Sequence, residues 1–276
     1  MRVAIVKPDH IGDFVLSVPA ITAIAAEFAD TTLFLASSTL PLARQLFPNL
    51  DIQRLDLPHL AKFSAPARDA ALHPVDLSVF NRVYFLRQDQ ILTPAWTRLI
   101  AREAVLIEDC NEVHETKLQQ DAVCRSGIEY RRPDAFTTAK PLSGHPKRVG
   151  LCLSAGFHAN RWPTARWREL GRLLLGEGIA VYLICGPFER SEGEMLARLL
   201  GLNVERRLIL GSADFNAFWE RVQEMDLVVA SDGGGAHLCS LYVPILSLFG
   251  GSPFRRFAPF GVGNRVLTRL PYCSPC

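Results

Sequence analysis

The sequence lacks several features that would place it at once in a class of protein. It has no apolar run near the ~20 residues of a membrane-spanning helix, and charge interrupts its N-terminal apolar run too early for a signal peptide. It contains no Gly-Lys-Ser/Thr phosphate loop and no Gly-x-Gly-x-x-Gly fingerprint. These absences argue against P-loop nucleotidases and against Rossmann-type oxidoreductases. With 30 basic and 28 acidic side chains, nothing predicts binding to nucleic acid.

The sequence also lacks the usual metal-binding patterns. No Asp-x-Asp pair is present to hold a magnesium-bound diphosphate. Cys273 and Cys276 have the spacing of half a metal site without a second pair, so a metal shared with a neighbouring subunit is the alternative for them. The seven cysteines are odd in number and scattered through apolar segments, which is typical of reduced thiols in the cytoplasm. We therefore expect a cytoplasmic protein with no metal and no other cofactor.

The 276 residues alternate short apolar runs with amphipathic segments, the pattern of βα repeats in a largely parallel sheet. The residues 130–148, rich in proline and without apolar periodicity, read as a linker. The prediction is an α/β protein of two Rossmann-like, doubly wound domains facing a cleft, over residues 1–142 and 143–276. The predicted strands are 3–6, 32–36, 83–86, 104–107, 149–153, 179–184, 208–210, 227–230 and 245–249, and the later helices are 165–175, 191–200 and 215–224.

The first helix has an apolar stripe at Ile21, Ile24, Ala25 and Phe28. Because proline fits only the first turn of a helix, Pro19 predicts a helix that begins near it, with Ser17 as N-cap.

Charge is distributed unevenly between the halves. Residues 1–143 carry 15 basic and 17 acidic side chains, whereas residues 144–276 carry 15 basic and 11 acidic. An anionic ligand is therefore expected in the second half.

Two loops after predicted strands carry charged side chains of functional interest, one acidic and one basic. Asp13 follows the first strand and Gly12, and its carboxylate is placed to take a proton from a hydroxyl group. The alternative is that Asp13 satisfies amides in a turn. Arg161 precedes a rigid Trp-Pro turn and is placed to neutralise a phosphate, unless it is only a solvated side chain.

Two further loops follow strands of the second half. Glu189 is placed to accept hydrogen bonds from ribose hydroxyls, or else it favours the first turn of the next helix. The segment from Asp232 to His237 contains Gly233, Gly234 and Gly235 before an apolar helix, so exposed amides and a helix N-terminus converge there. The alternative is a tight turn with a core histidine.

Together these loops resemble glycosyltransferase family 9, the ADP-heptose:lipopolysaccharide heptosyltransferases and their relatives. The resemblance extends over most of the chain and is strongest in the second half. The matching segments, in order, are Gly12-Asp13 with Pro19, Arg161-Trp162-Pro163, Gly186-Pro187-Phe188-Glu189, Asp232-Gly-Gly-Gly-Ala-His237, Pro244 and Ile245-Leu-Ser-Leu-Phe249-Gly250.

The resemblance implies a GT-B fold and an inverting, metal-independent transfer of heptose or a related sugar from an ADP-sugar to a hydroxyl of a glycan or lipopolysaccharide-type acceptor. It implies that Asp13 is the general base and that His114 lies on the acceptor side. The implied donor-binding residues are Arg161, Glu189, Asp232, Gly233, Gly234, Gly235 and His237. A glycan or lipid-linked acceptor implies peripheral contact with the inner face of the bacterial inner membrane.

The chain departs from the family pattern in ways that keep a second hypothesis open. Gly233 stands where relatives usually have a hydroxyl residue, and the acceptor domain is compact. The alternative is a nucleotide-sugar-binding family member that has a different donor or has lost catalysis.

Overall fold

The computed structural model describes residues 1–56, 75–87, 103–130, 139, 141–209 and 215–269. The chain divides into two compact units, Met1–Pro133 and Asp134–Cys276. The division follows Pro133, whereas the predicted domain boundary follows residue 142. In the described part of the chain, no helix is both long and apolar enough to cross a membrane.

The first unit contains a five-stranded parallel sheet in the order β3-β2-β1-β4-β5. Every residue of β1 and β2 is buried, as expected for central strands with both faces covered. Val3 pairs with Thr31 on one side and Arg82 on the other. The strands are β1 (Val3–Lys7), β2 (Thr31–Leu35), β3 (Asp51–Arg54), β4 (Arg82–Phe85) and β5 (Glu103–Leu106).

The described residues of the first unit form three α-helices: α1 (Ile11–Glu27), α2 (Leu40–Leu46) and α3 (Glu115–Arg125). The predicted start of α1 is wrong, because the helix begins at Ile11 with His10 as its N-cap residue, and Pro19 lies inside it. Ser17 does not cap the helix; its Oγ donates to the Asp13 carbonyl at 2.8 Å. Residues 14–21 are all buried, so apolar burial on every face of the helix around Pro19 offsets the roughly 3 kcal/mol that an interior proline costs.

The second unit contains a six-stranded parallel sheet in the order β11-β10-β9-β6-β7-β8. Its strands are β6 (Arg148–Cys152), β7 (Ala180–Cys185), β8 (Arg207–Ile209), β9 (Leu227–Ser231), β10 (Ile245–Phe249) and β11 (Arg265–Thr268). All nine predicted strands are present, with ends within one residue of the prediction, while β3 and β11 were not predicted.

Where the second unit is described, its α-helices are α4 (Thr164–Gly176), α5 (Arg190–Leu199), α6 (Phe215–Val222), α7 (Gly234–Ser240) and α8 (Phe254–Phe257). Trp167 of α4 is the largest fully buried side chain among the described residues and meets Trp162 edge to face, with 4.8 Å between ring centroids. This packing fixes the loop between β6 and α4 against the sheet. The cysteines of the described residues are all free thiols.

Candidate functional site

The second sheet has a topological switch point between β6 and β9. From β6 the chain proceeds through β7 and β8 on one side, then returns to β9 and continues through β10 and β11 on the other. Ligands of open α/β sheets bind where the loops after two such neighbouring strands diverge. The loop that carries Arg161 and the glycine-rich turn both leave from this point.

Asn160 connects the two loops. Its Nδ2 donates to Asp232 Oδ2 at 2.8 Å and to Ser252 Oγ at 3.0 Å, and Ser252 Oγ is 3.2 Å from Asn160 Oδ1. Asp232 is buried, and burial raises the pKa of its carboxyl, although the Ser252 hydrogen bond partly opposes the shift. Asp232 is thus held in one orientation at the end of β9. Sequence analysis missed Ser252, which lies two residues beyond the Ile245–Gly250 motif.

Arg161 and Glu189 form an ion pair with 2.9 Å between Nη2 and Oε1. The Arg161 side chain is 35% exposed, whereas that of Glu189 is 3% exposed. Burial raises the pKa of Glu189, and the nearby guanidinium of Arg161 opposes this rise. The two residues were predicted separately, and their pairing could not be predicted. Glu189 therefore holds the Arg161 guanidinium in one position and leaves it accessible to solvent, which suits the binding of an anionic ligand.

The glycine-rich turn lies against the loop that follows β6. A Cβ atom at Gly233 would lie 2.6 Å from the carbonyl oxygen of Ser154 and 2.9 Å from the Ala155 Cα. Both are backbone atoms, so the close approach itself requires glycine. A serine or threonine, which the family resemblance predicts here, would place its Cβ in that contact. Gly234 and Gly235 begin α7, where first-turn amides have no acceptor within the helix.

His237 lies on α7 and is 5% exposed. Its carbonyl accepts a hydrogen bond from Ser240 Oγ at 2.8 Å. Ser231, the last residue of β9, is buried beside the loop, with its Oγ 3.4 Å from the amide of Trp162. The structure therefore gathers the predicted donor-binding residues at one edge of the second sheet, with His237 behind the glycine turn.

The two residues predicted in the first unit lie at the starts of helices. Asp13 is half-buried in the first turn of α1, rather than in a loop as predicted. His114 is the N-cap of α3, where its Nδ1 accepts from the Thr116 amide at 3.3 Å and lies 2.8 Å from Thr116 Oγ1. The cap explains the position of His114 structurally.

A cluster of buried charges at the end of β1 was missed by sequence analysis. Lys7 Nζ is 2.9 Å from Asp9 Oδ2 and 3.7 Å from Glu115 Oε1, and it donates to the Leu86 carbonyl at 2.8 Å. Arg87 pairs with the other oxygen of Asp9. We call Lys7, Asp9, Arg87 and Glu115 the ionic cluster. Its members are up to 108 positions apart in sequence (Lys7 and Glu115), so no local pattern could reveal it.

Within the described ranges, no group of three or more His, Cys, Asp or Glu side chains is arranged to hold a metal ion. Cys273 and Cys276 lie outside those ranges.

The sequence model of glycosyltransferase family 9 (heptosyltransferase) matches residues 76–276. No curated protein matches the chain by sequence.

Solved structures of that family resemble the chain along nearly its whole length. The E. coli heptosyltransferase WaaC, solved with ADP, is 19% identical with a TM-score of 0.64, over 97% of this chain and 93% of that one. The E. coli ADP-heptose lps heptosyltransferase II is 17% identical with a TM-score of 0.64, over 97% and 90%. A family 9 glycosyltransferase from Veillonella parvula is 15% identical with a TM-score of 0.64, over 97% and 86%.

These likenesses confirm the expected fold class, two parallel-sheet α/β units as in the GT-B heptosyltransferases. Because the family model covers well over half of the sequence, including all four motifs of the second half, the chain belongs to glycosyltransferase family 9, the heptosyltransferase family.

Proposed function

We propose that this glycosyltransferase moves a heptose or a related sugar from an ADP-sugar to a hydroxyl of a glycan or lipopolysaccharide-type acceptor, with inversion and without a metal. One observation carries the proposal. At the switch point of the second sheet, the solvent-accessible guanidinium of Arg161 pairs with the buried carboxylate of Glu189 and lies beside the glycine-rich turn. This is the place and the chemistry that a nucleoside diphosphate requires.

Arg161 and the amides of Gly233, Gly234 and Gly235 would bind the diphosphate. Negative charge grows on the leaving diphosphate as the glycosidic bond breaks, so fixed donors stabilise the transition state more than the ground state. A guanidinium and backbone amides would supply here what a metal supplies elsewhere.

The nucleoside and sugar would lie on either side of the diphosphate. Glu189 would orient Arg161, and its remaining lone pairs would accept hydrogen bonds from the ribose hydroxyls. Asp232, held by Asn160, and His237 would shape the sugar and phosphate site. ADP as the nucleotide is supported by the structure of WaaC with ADP and by the name of the ADP-heptose lps heptosyltransferase II.

Asp13 would be the general base. It would take the proton of the acceptor hydroxyl while the hydroxyl oxygen attacks the anomeric carbon and the diphosphate departs from the opposite side, which inverts the configuration. His114 would contact the acceptor. A lipid-linked acceptor would bring the protein to the cytoplasmic face of the inner membrane.

The test combines binding and transfer. Calorimetry with ADP, UDP, GDP and dTDP in the presence of EDTA should show selective ADP binding. ADP release from ADP-heptose, with a lipopolysaccharide core that lacks heptose as acceptor, should fall about 100- to 10,000-fold in Asp13→Asn while the Kd for ADP changes less than about twofold. Full activity in Asp13→Asn would remove the base from the mechanism. ADP binding without any transfer would favour the non-catalytic alternative, and preference for another nucleotide would exclude ADP-heptose.

A further inference from the structure

Helix α1 is weakened at its centre, just after the turns that carry Asp13. Pro19 has no amide hydrogen, so the carbonyl of Val15 cannot receive the helical hydrogen bond from position 19. The Ser17 hydroxyl also bonds back to the Asp13 carbonyl at 2.8 Å, a contact that tends to bend helices. The first turns of α1 are therefore less firmly tied to the rest of the helix than in an uninterrupted one.

A side chain of α3 makes up for this loss. Gln119 is fully buried, and its Nε2 donates to Ser17 Oγ at 3.0 Å and to Glu115 Oε1 at 2.9 Å. The direction of each bond follows from chemistry. The Asp13 carbonyl only accepts, so the Ser17 hydrogen points to it and the Ser17 oxygen must accept from Gln119.

The orientation of the Gln119 amide follows in the same way. The Glu115 carboxylate needs a donor, so the NH2 group faces it, and both hydrogens of that group are used. The Gln119 Oε1 accepts no hydrogen bond from the residues that the structure describes. Gln119 is thus placed for its two donors. Through Glu115 the chain of bonds reaches Lys7 of the ionic cluster, with 3.7 Å between Glu115 Oε1 and Lys7 Nζ.

We propose that Gln119 is a positioning residue, which holds the first turns of α1 through Ser17 and so fixes the place of Asp13 relative to α3. This inference rests on the proposed function, in which Asp13 is the general base. The two helices pack against each other, and α3 begins at the cap residue His114. The hydrogen bonds of Gln119 to Ser17 and Glu115, which we call the brace, therefore position both residues of the first unit that the reaction would use. A base that is displaced by about 1 Å loses on the order of 100-fold in rate.

The test uses the full chain and two matched variants of neighbouring glutamines. Gln119→Met keeps the length of the side chain and removes its hydrogen bonds. Gln120→Met makes the same change at the next position of α3, where the side chain is half-buried. Hydrogen exchange of residues 11–18 should accelerate at least tenfold in Gln119→Met and stay unchanged in Gln120→Met. The kcat of transfer should fall about 10- to 100-fold in Gln119→Met, with the KM for the donor changed less than twofold.

Ser17→Ala provides an independent variant, since it removes the middle of the bond chain without changing Gln119. Its kcat should fall similarly, and the double variant should lose no more than the larger single loss, because both changes break one chain. A merely structural role would lower the melting temperature and leave kcat per folded molecule unchanged, and would overturn the proposal. Unchanged exchange in residues 11–18 would overturn it as well. If the wild-type protein transfers no sugar, the proposed function fails, and the exchange result alone decides whether the brace exists.

Discussion

Arg161 and Glu189 follow the neighbouring strands β6 and β7 and meet with 2.9 Å between Nη2 and Oε1. Solvent reaches the guanidinium but hardly reaches the carboxylate. The pair therefore holds the cation in one place while leaving it available to a ligand. Because the carboxylate has been removed from water, its binding of Arg161 is less screened by salt than a surface ion pair would be.

The coupling of this pair gives the first prediction. Arg161→Met and Glu189→Gln should each weaken ADP binding about 10- to 100-fold, and the double variant should lose less than the two single losses combined, because Glu189 acts partly through Arg161. The measurement is calorimetric titration with ADP in EDTA. Arg166→Met removes the exposed pair with Glu169 on α4 and should leave the Kd unchanged. Fully additive losses would show that Glu189 acts on the ligand independently.

Burial of Asp232 predicts a pH-dependent stability. Its raised pKa means that the folded protein binds more protons than the unfolded chain between the ordinary and the raised value. The free energy of unfolding therefore falls as pH rises through that window, and the whole destabilisation by the buried Asp232 carboxylate is present above it. Asp232→Asn should raise the melting temperature at pH 8 by about 2–4 °C per kcal/mol of cost relieved, and should melt like wild type near about pH 3. If Asp232→Asn and wild type melted at the same temperature at pH 8 as well as at low pH, the raised pKa of Asp232 would be contradicted.

The same variant should bind ADP-heptose more weakly than wild type if Asp232 shapes the sugar site. A gain in stability with a loss of binding is the expected signature of a residue that is strained for function.

Gly233 gives a steric prediction. Gly233→Ser introduces a hydroxyl, yet its Cβ would meet the Ser154 carbonyl and the Ala155 Cα. The backbone cannot move aside as a flexible side chain can, so we expect a loss of about 1–3 kcal/mol in urea unfolding. Gly156→Ala is the control in the facing loop after β6, because nothing lies within 4 Å of its Cβ position. A Gly233→Ser protein as stable as Gly156→Ala would refute this explanation.

The ionic cluster predicts unequal effects for two lysines. Lys7→Met leaves Asp9 and Glu115 buried without their ammonium partner, which should cost about 3–5 kcal/mol in urea unfolding. Lys117→Met breaks an exposed pair with Asp121 on α3 and should cost less than about 0.5 kcal/mol. Similar losses in both variants would mean that the cluster is hydrated in solution.

Much of the fold could be predicted because apolar runs record it directly. The fully buried strands β1 and β2 were predicted to within one residue. The strand β3 was missed because its four residues, Asp51–Arg54, are largely exposed and polar and so show no hydrophobic pattern. The start of α1 was wrong because Pro19 was assigned its usual place in a first turn, and the burial of residues on both sides of it overrides that preference.

The site was predictable as a set of loops but not as a set of contacts. The parallel βα pattern predicts that Arg161, Glu189 and Asp232 all follow strands, and the structure places them at the same edge of one sheet. The bonds that fix them depend on Asn160 and Ser252, 92 positions apart, and the brace joins Ser17 to Gln119, 102 positions apart. Such distant polar pairs leave no periodicity to detect.

The all-parallel pairing described for both sheets has a kinetic consequence. A parallel pair cannot close through a tight hairpin, and the central pairs join Val3 to Arg82 and Val149 to Leu227. Each of these closures brings together segments about 80 residues apart, which makes the central pairing slow relative to local helix formation. Until these closures occur, the edges of β1 and β6 that face β4 and β9 stay unpaired. Yield in a heterologous host should accordingly depend on the rate of synthesis and on temperature more than on the final stability of the protein.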